Sequence, residues 1–285
     1  MLELKKVLCP IDFSNLAARE LNLAVQVCEA FGSKLVLHHN VLITGVGFSK
    51  AWEWSEEHRA QTVPEGDAFK RLEGVLATLP PGVRAQAEAK ISSGSVAPVL
   101  LMLAQHLPAD LVVLGSHGWS TDDHSSVTER IVDKCPCPVL TFHEGHEQAF
   151  RLQPKGDEPP AKVLVPTDLS EAAARAVNYA FELARRFPLH LTLLHVVPSG
   201  AGVAAAEQKL GALVPSDLAP RIETAIHQGK AVEDILDTVE AMRPAFMVVG
   251  EHKPGGLFHR LFSQNRAREI LHRASCPVWF IPNRG

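Results

Sequence analysis

Val7–His39 reads VLCPIDFSNLAARELNLAVQVCEAFGSKLVLHH, and Val163–His195 reads VLVPTDLSEAAARAVNYAFELARRFPLHLTLLH. The second lies on the first at a constant offset of 156 with no gap, and Pro10/Pro166, Asp12/Asp168, Ser14/Ser170 and His39/His195 are among the identities. A second echo closes each half, CPVLTF from Cys137 and CPVWFI from Cys276. Self-similarity at a fixed long period marks duplication of one supersecondary unit. The chain therefore reads as two copies, 1–142 and 162–285. The polar, Pro-containing stretch 143–161 shows no sustained period and reads as a solvated linker.

Within each copy, strand and helix signals alternate. KKVLCPI is a continuous apolar run suited to a buried parallel strand. Ser14 is an expected N-cap, and Ala17, Leu21, Ala24, Val25 and Cys28 then fall at helical spacing. KLVLHHNV, RAQAEAKI, ADLVVLG and CPVLTF read as further strands, with helices over VAPVLLMLAQHL and SSVTERIVDKC. The second copy repeats the order through AKVLVPT, LHLTLLHVV, APRIETAIHQG, AFMVVG and CPVWFI, with helices from Ser170, from Lys230 and near Gln264–Ala274. This predicts an α/β protein of two doubly wound open sheets, each with five mainly parallel strands and helices on both faces. In such sheets ligands sit at the carboxyl ends of the strands, where strand order reverses. Asp12 and Asp168 end first strands, and Gly115 and Gly250 end fourth strands.

Composition narrows the classes of function. A net charge of −4 with no long Lys/Arg block argues against general nucleic-acid binding. No apolar run is long enough to span a bilayer. MLELKKVLCPIDFS passes straight into a strand pattern with no secretory leader, so the expected location is the cytoplasm. Five scattered cysteines fit a reducing compartment. Cys135 and Cys137 are too close for the usual zinc spacing and read as part of a loop entering a strand.

The ordered pieces VLCPIDFS, LHH, SGS, ADLVVLGSHG and CPVLTF, found again as VLVPTDLS, LLHVV, HQGKAVEDIL, MVVGEHK and CPVWFI, resemble the universal stress protein family. The resemblance covers nearly all of the chain outside the linker and Ile43–Pro64. It implies a tandem member with a Rossmann-like, adenine-nucleotide alpha-hydrolase-like fold, whose domains pair within the chain through their last strands. Whether two chains pair further stays open. It also implies, for members that bind ATP, a loop of Gly, two residues, Gly, nine residues, then Gly-Ser or Gly-Thr. Backbone N–H groups of that loop, with the next helix's N-terminus, hold the phosphates, and the first-strand Asp reaches the nucleoside.

The first copy keeps Gly115 and Gly118, with His117 between them and Ser125-Ser126 at the closing pair. Its loop is three residues short of the pattern, carries Asp122 and Asp123, and has no Lys or Arg before Arg130. Two like unit charges at 4 Å repel by about 1 kcal/mol in water and by more when partly buried, a sign that Mg²⁺ would reverse. The second copy keeps Gly250, puts Lys253 at the second glycine, follows with Gly255 and Gly256, and has Gln264-Asn265 at the closing pair. Lys253, Arg260 and Arg266 make this loop the better one for an anion.

Each of these residues also has a plainer reading. Asp12 and Asp168 are expected either to meet a ligand or to brace the turn before the first helix. His39 and His195 read as strand-end packing residues, and His117 and His252 as loop residues. Trp52 and Trp54 belong to a stretch, Ala51–Phe69, that the second copy lacks, and read as packing, lid or partner patch. Leu257, Phe258, Leu261 and Phe262 read as an interface or a helix face. The residues offer no nucleophile–base–orienter set and no metal cluster, so the expectation is a non-enzyme with at most weak ATP hydrolysis. Two functions stay open: a stress-response protein that binds ATP, with Mg²⁺, in at least one copy and acts through an unknown protein partner, or a nucleotide-free scaffold.

Overall fold

A computed structural model describes residues 2–41, 65–116, 127–154, 156–200, 202–250 and 264–283. Packing divides the chain into two compact units, Leu4–Leu114 and Gly115–Gly285 with Met1–Glu3.

In the unit Leu4–Leu114 the elements are β1 (Lys6–Pro10), α1 (Asn15–Phe31), β2 (Lys34–Val41), α2 (Glu65–Thr78), a single helical turn at Pro81–Arg84, β3 (Glu88–Ser93), α3 (Val96–His106) and β4 (Leu111–Ser116). The strand order is β3-β2-β1-β4 and every pairing is parallel. The apolar runs explain this: Val7, Leu8, Cys9, Leu35, Val36 and Leu37 are fully buried, as strands covered on both faces must be. Ser14 caps α1 through its side chain, which accepts from Ala17 N at 3.1 Å. The buried stripe of α1 is Leu16, Ala17, Glu20, Leu23, Ala24, Val27 and Cys28, so Leu21 and Val25 sit at its border rather than its centre. The helix stops at Gly32, held at φ +72°, where the left-handed conformation carries no Cβ penalty.

The second unit holds α4 (Val127–Lys134), β5 (Val139–His143), β6 (Ala161–Pro166), α5 (Glu171–Arg186), β7 (Leu189–Val197), α6 (Ala204–Ala212), β8 (Ile222–Gln228), α7 (Ala231–Met242), β9 (Phe246–Gly250), α8 (Gln264–Arg273) and β10 (Val278–Ile281). Its order is β5-β10-β9-β6-β7-β8. The second copy alone therefore runs third, second, first, fourth, fifth, and strand order reverses between β6 and β9. The helix α5 repeats the Ser cap, with Ser170 accepting from Ala173 N at 3.2 Å. It ends differently from α1: Phe187, which precedes Pro188, turns extended, because a residue before proline is pushed out of the helical region.

β5 of the first copy pairs antiparallel with β10 of the second, Thr141 opposite Val278 and Val139 opposite Phe280. The last strands thus meet within one chain, and this is why the compact units do not follow the sequence repeat. Behind them α8 reaches α4: Arg268 donates to Asp133 Oδ2 at 2.7 Å, and His272 Nε2 lies 2.7 Å from Glu129 Oε1.

The stretch after β5 is not freely solvated. Phe150 and Leu152 are buried. The Phe150 ring packs 5.4 Å from Phe246 and 6.2 Å from Trp279, which itself meets Tyr179 at 5.5 Å. Two apolar residues in a polar run leave no periodic signal, yet an aromatic ring gains more from burial than its neighbours lose. Helices α2 and α6 occupy the same slot in the two copies, between second and third strands. Trp52 and Trp54 lie outside the described residues. Among the described residues no helix is long and apolar enough to cross a membrane.

Candidate functional site

The β1–α1 and β6–α5 turns are built alike, atom for atom, from the equivalent residues. In the first copy Ile11 N donates to His38 O at 2.7 Å, and His39 Nδ1 meets Ile11 O at 2.6 Å. In the second, Thr167 N donates to Leu194 O at 2.8 Å, and His195 Nδ1 meets Thr167 O at 2.8 Å. A carbonyl only accepts, so both imidazoles donate from Nδ1 at these contacts. His39 and His195 are buried strand-end residues that tie the second strand to the turn. Burial lowers the His39 pKa below its ordinary value, against the raising effect of the Ile11 carbonyl.

The aspartates follow. Asp12 Oδ1 accepts from Ser14 N at 2.8 Å, and Asp168 Oδ1 accepts from Ser170 N at 3.0 Å. Each carboxylate therefore braces its turn through one oxygen. Among the described residues neither carboxylate makes a second hydrogen bond. Between the braced ends sits a non-glycine residue in the left-handed region, Phe13 at φ +63° and Leu169 at φ +62°. A bulky side chain there is strained, by about 1–3 kcal/mol, and such strain persists only where the surroundings hold it. In the second copy Thr167 Oγ1 adds a further clamp by accepting from Leu169 N at 3.1 Å.

Asp168 and Gly250 stand on the same edge of one sheet. Val163 pairs with Phe246 and Leu164 with Met247, so continuing that register sets Pro166, the last residue of β6, beside Val249. Both lie at the carboxyl ends of β6 and β9, where the strand order reverses. Gln264 and Asn265 open α8. Lys253 and Gly255 lie outside the described residues, as do His252, Gly256, Arg260 and the apolar set Leu257, Phe258, Leu261 and Phe262.

In the first copy Asp12 belongs to the unit Leu4–Leu114 and Gly115 to the other. Gly115 O accepts from Thr128 Oγ1 at 3.0 Å, which ties the start of α4 to the end of β4. His117, Gly118, Asp122, Asp123, Ser125 and Ser126 lie outside the described residues. Beside Asp12, the Phe13 ring rests on His39, with centroids 4.5 Å apart, and Arg71 of α2 places its guanidinium carbon 4.1 Å from the Phe13 centroid. A cation over an aromatic face is held electrostatically. Arg71 thus brings positive charge to the end of β1. No local signal ties Arg71 to Phe13 across the intervening chain.

Third strands end in glycines at matching positions. Gly94 takes φ +123°, and a Cβ at Gly229 would stand 2.3 Å from Asp234 Oδ2. Asp234 Oδ1 lies 3.8 Å from His227 Nδ1.

Comparison with known proteins gives one family model, described as the universal stress protein family, matching residues 3–143 and 160–282. Among solved structures, a universal stress protein from Archaeoglobus fulgidus DSM 4304 covers 99% of this chain and 97% of its own, with 18% identity and a TM-score of 0.74. A putative universal stress protein from Pseudomonas aeruginosa UCBPP-PA14 covers 98% of this chain and 93% of its own, at 15% identity and a TM-score of 0.62. A functionally unknown protein from Pseudomonas aeruginosa PAO1 covers 98% and 92%, at 14% identity and 0.61. At these identities the likeness is one of fold. No curated protein matches.

Proposed function

The chain belongs to the universal stress protein family, with the family unit present twice, and from this we propose that it binds an adenine nucleotide, ATP with Mg²⁺, in at least one copy, and works in the cytoplasm through a protein partner. The observation that carries the reading is the doubled turn. A carboxylate held by its own backbone, beside a strained left-handed residue, recurs at the first-strand end of both copies. In the second copy that end adjoins the place where strand order reverses, which is where open α/β sheets take ligands.

Asp168 would meet the nucleoside through the oxygen not used in bracing. The N-terminus of α8 and the basic residues Lys253 and Arg260 would meet the phosphates. In the first copy Asp12 would have the same role, with the positive charge of Arg71 beside it at the Phe13 ring. Mg²⁺ would enter with the phosphates and lower their charge. No residue is assigned to hydrolysis.

The test is isothermal titration of the full chain with ATP and Mg²⁺. The expected result is saturable heat, with a melting temperature that climbs with free nucleotide as mass action requires. A flat titration up to millimolar nucleotide overturns nucleotide binding and leaves the scaffold reading.

A further inference from the structure

The five cysteines are all reduced and buried, but they are not equivalent. Cys276 stands before β10 with its thiol pushed up to about 12 by burial. Cys9 and Cys28 are raised as well, again by burial first. Cys135 and Cys137 differ in geometry: their sulfurs are 3.5 Å apart, in a bend between the end of α4 and the start of β5.

The duplication supplies an internal control. Both copies pass from helix to last strand through the same bend, and Cys137 corresponds to Cys276 while Cys135 corresponds to Ala274. The position of Cys137 is part of the repeated unit, and the second thiol is an addition of the first copy alone. Cys276 itself is out of reach. The antiparallel register sets Val139 opposite Phe280, so Cys276 falls opposite His143, six residues along the ribbon from Cys137, or about 20 Å at the usual strand rise.

We propose that Cys135 and Cys137 form a peroxide-responsive dithiol that closes to an intrachain disulfide. Cys137, at 7% exposure against 1% for Cys135, is the attacking group. Its thiolate displaces hydroxide from hydrogen peroxide and becomes a sulfenic acid. The Cys135 sulfur then attacks the Cys137 sulfur, the new S–S bond forms, and the sulfenic oxygen leaves as water. Two thiols and one peroxide give one disulfide and two waters. The oxidant is small enough to reach a buried pair, and the resolving sulfur already stands in contact. A dithiol reductant reverses the step by thiol–disulfide exchange. This site is independent of nucleotide binding.

The experiment treats the full chain with hydrogen peroxide, then unfolds it in excess alkylating agent and maps the peptides by mass. The expected product is a peptide holding Cys135 and Cys137 that is unalkylated and ~2 Da lighter than its reduced form, while Cys9, Cys28 and Cys276 are alkylated; dithiothreitol restores alkylation of the pair. Cys135→Ala, which installs the residue of the second copy, is expected to abolish the disulfide and leave Cys137 as an alkylatable thiol or a trapped sulfenic acid. Alkylation of both cysteines in the oxidised wild type overturns the proposal, and so does a bridge from either to Cys276 or to another chain. The wild-type measurement decides the matter even if the variant fails to fold.

Discussion

Replacing Asp168 separates the bracing role of its carboxylate from the ligand role proposed for it. Asp168→Ala removes the acceptor for Ser170 N, a part-buried hydrogen bond of 3.0 Å. A net hydrogen bond of this kind contributes about 1 kcal/mol. The same turn stores the strain of Leu169 at φ +62°, so loss of the brace leaves that strain opposed only by the Thr167 clamp at 3.1 Å. We expect a loss of about 1–2 kcal/mol, or a melting temperature lower by roughly 2–8 °C at the usual conversion for domains of this size. Asp168→Asn keeps an oxygen to accept from Ser170 N and removes only the charge. Its stability should stay within about 0.5 kcal/mol of wild type. If the other oxygen meets the nucleoside, however, the Asn variant should bind ATP about tenfold more weakly, since a charge-assisted hydrogen bond at a ligand is worth about 1.4 kcal/mol or more. Thermal unfolding and calorimetry on both variants read the two effects separately. An unchanged melting temperature in the Ala variant would refute the bracing role, and wild-type affinity in the Asn variant would refute the ligand role.

Three other outcomes follow from particular contacts. Arg71→Gln should weaken nucleotide binding at the first copy, measured by calorimetry in an Asp168→Asn background, and leave the second copy unaffected in an Asp12→Asn background. Phe150→Ala should destabilise the second unit by about 3 kcal/mol in urea unfolding, since it removes a buried ring packed on Phe246 and Trp279; a loss below about 1 kcal/mol would mean that the stretch after β5 is not docked. His38 is buried against Ser92 Oγ at 2.6 Å, and burial pulls its pKa down to about 4 from 6.5. The unfolded chain then binds the extra proton between those values, so the His38 contribution is fully present above pH 6.5 and is lost as the pH falls towards 4, by up to about 3 kcal/mol. His38→Gln should flatten that part of the stability–pH profile, and an unchanged slope would contradict it.

The alternation of strands and helices was legible because parallel strands buried on both faces show as unbroken apolar runs, and Ser14 and Ser170 announce their helices by chemistry that acts over three residues. The pairing of β5 with β10 came from the resemblance, since CPVLTF and CPVWFI carry no mark of their partner. What lay beyond reading was long-range. Phe13 and Leu169 look like ordinary apolar residues, and their left-handed backbone belongs to turns braced by Asp12 and Asp168. Arg71 meets Phe13 only because α2 folds back over the end of β1. Phe150 is one ring in a polar stretch, and its burial depends on a pocket made by Phe246 and Trp279 far along the chain. The aspartates could be read both as braces and as ligand residues. The structure supplies the brace for both, and the second carboxylate oxygen is what the ligand role requires.

The most direct measurement is a calorimetric titration with ATP and Mg²⁺ on the full chain and, beside it, on the Asp12→Asn/Asp168→Asn double variant. The account predicts saturable heat from the wild type and binding about tenfold weaker from the folded double variant. Heat of equal size and affinity from both proteins, or from neither, would contradict it.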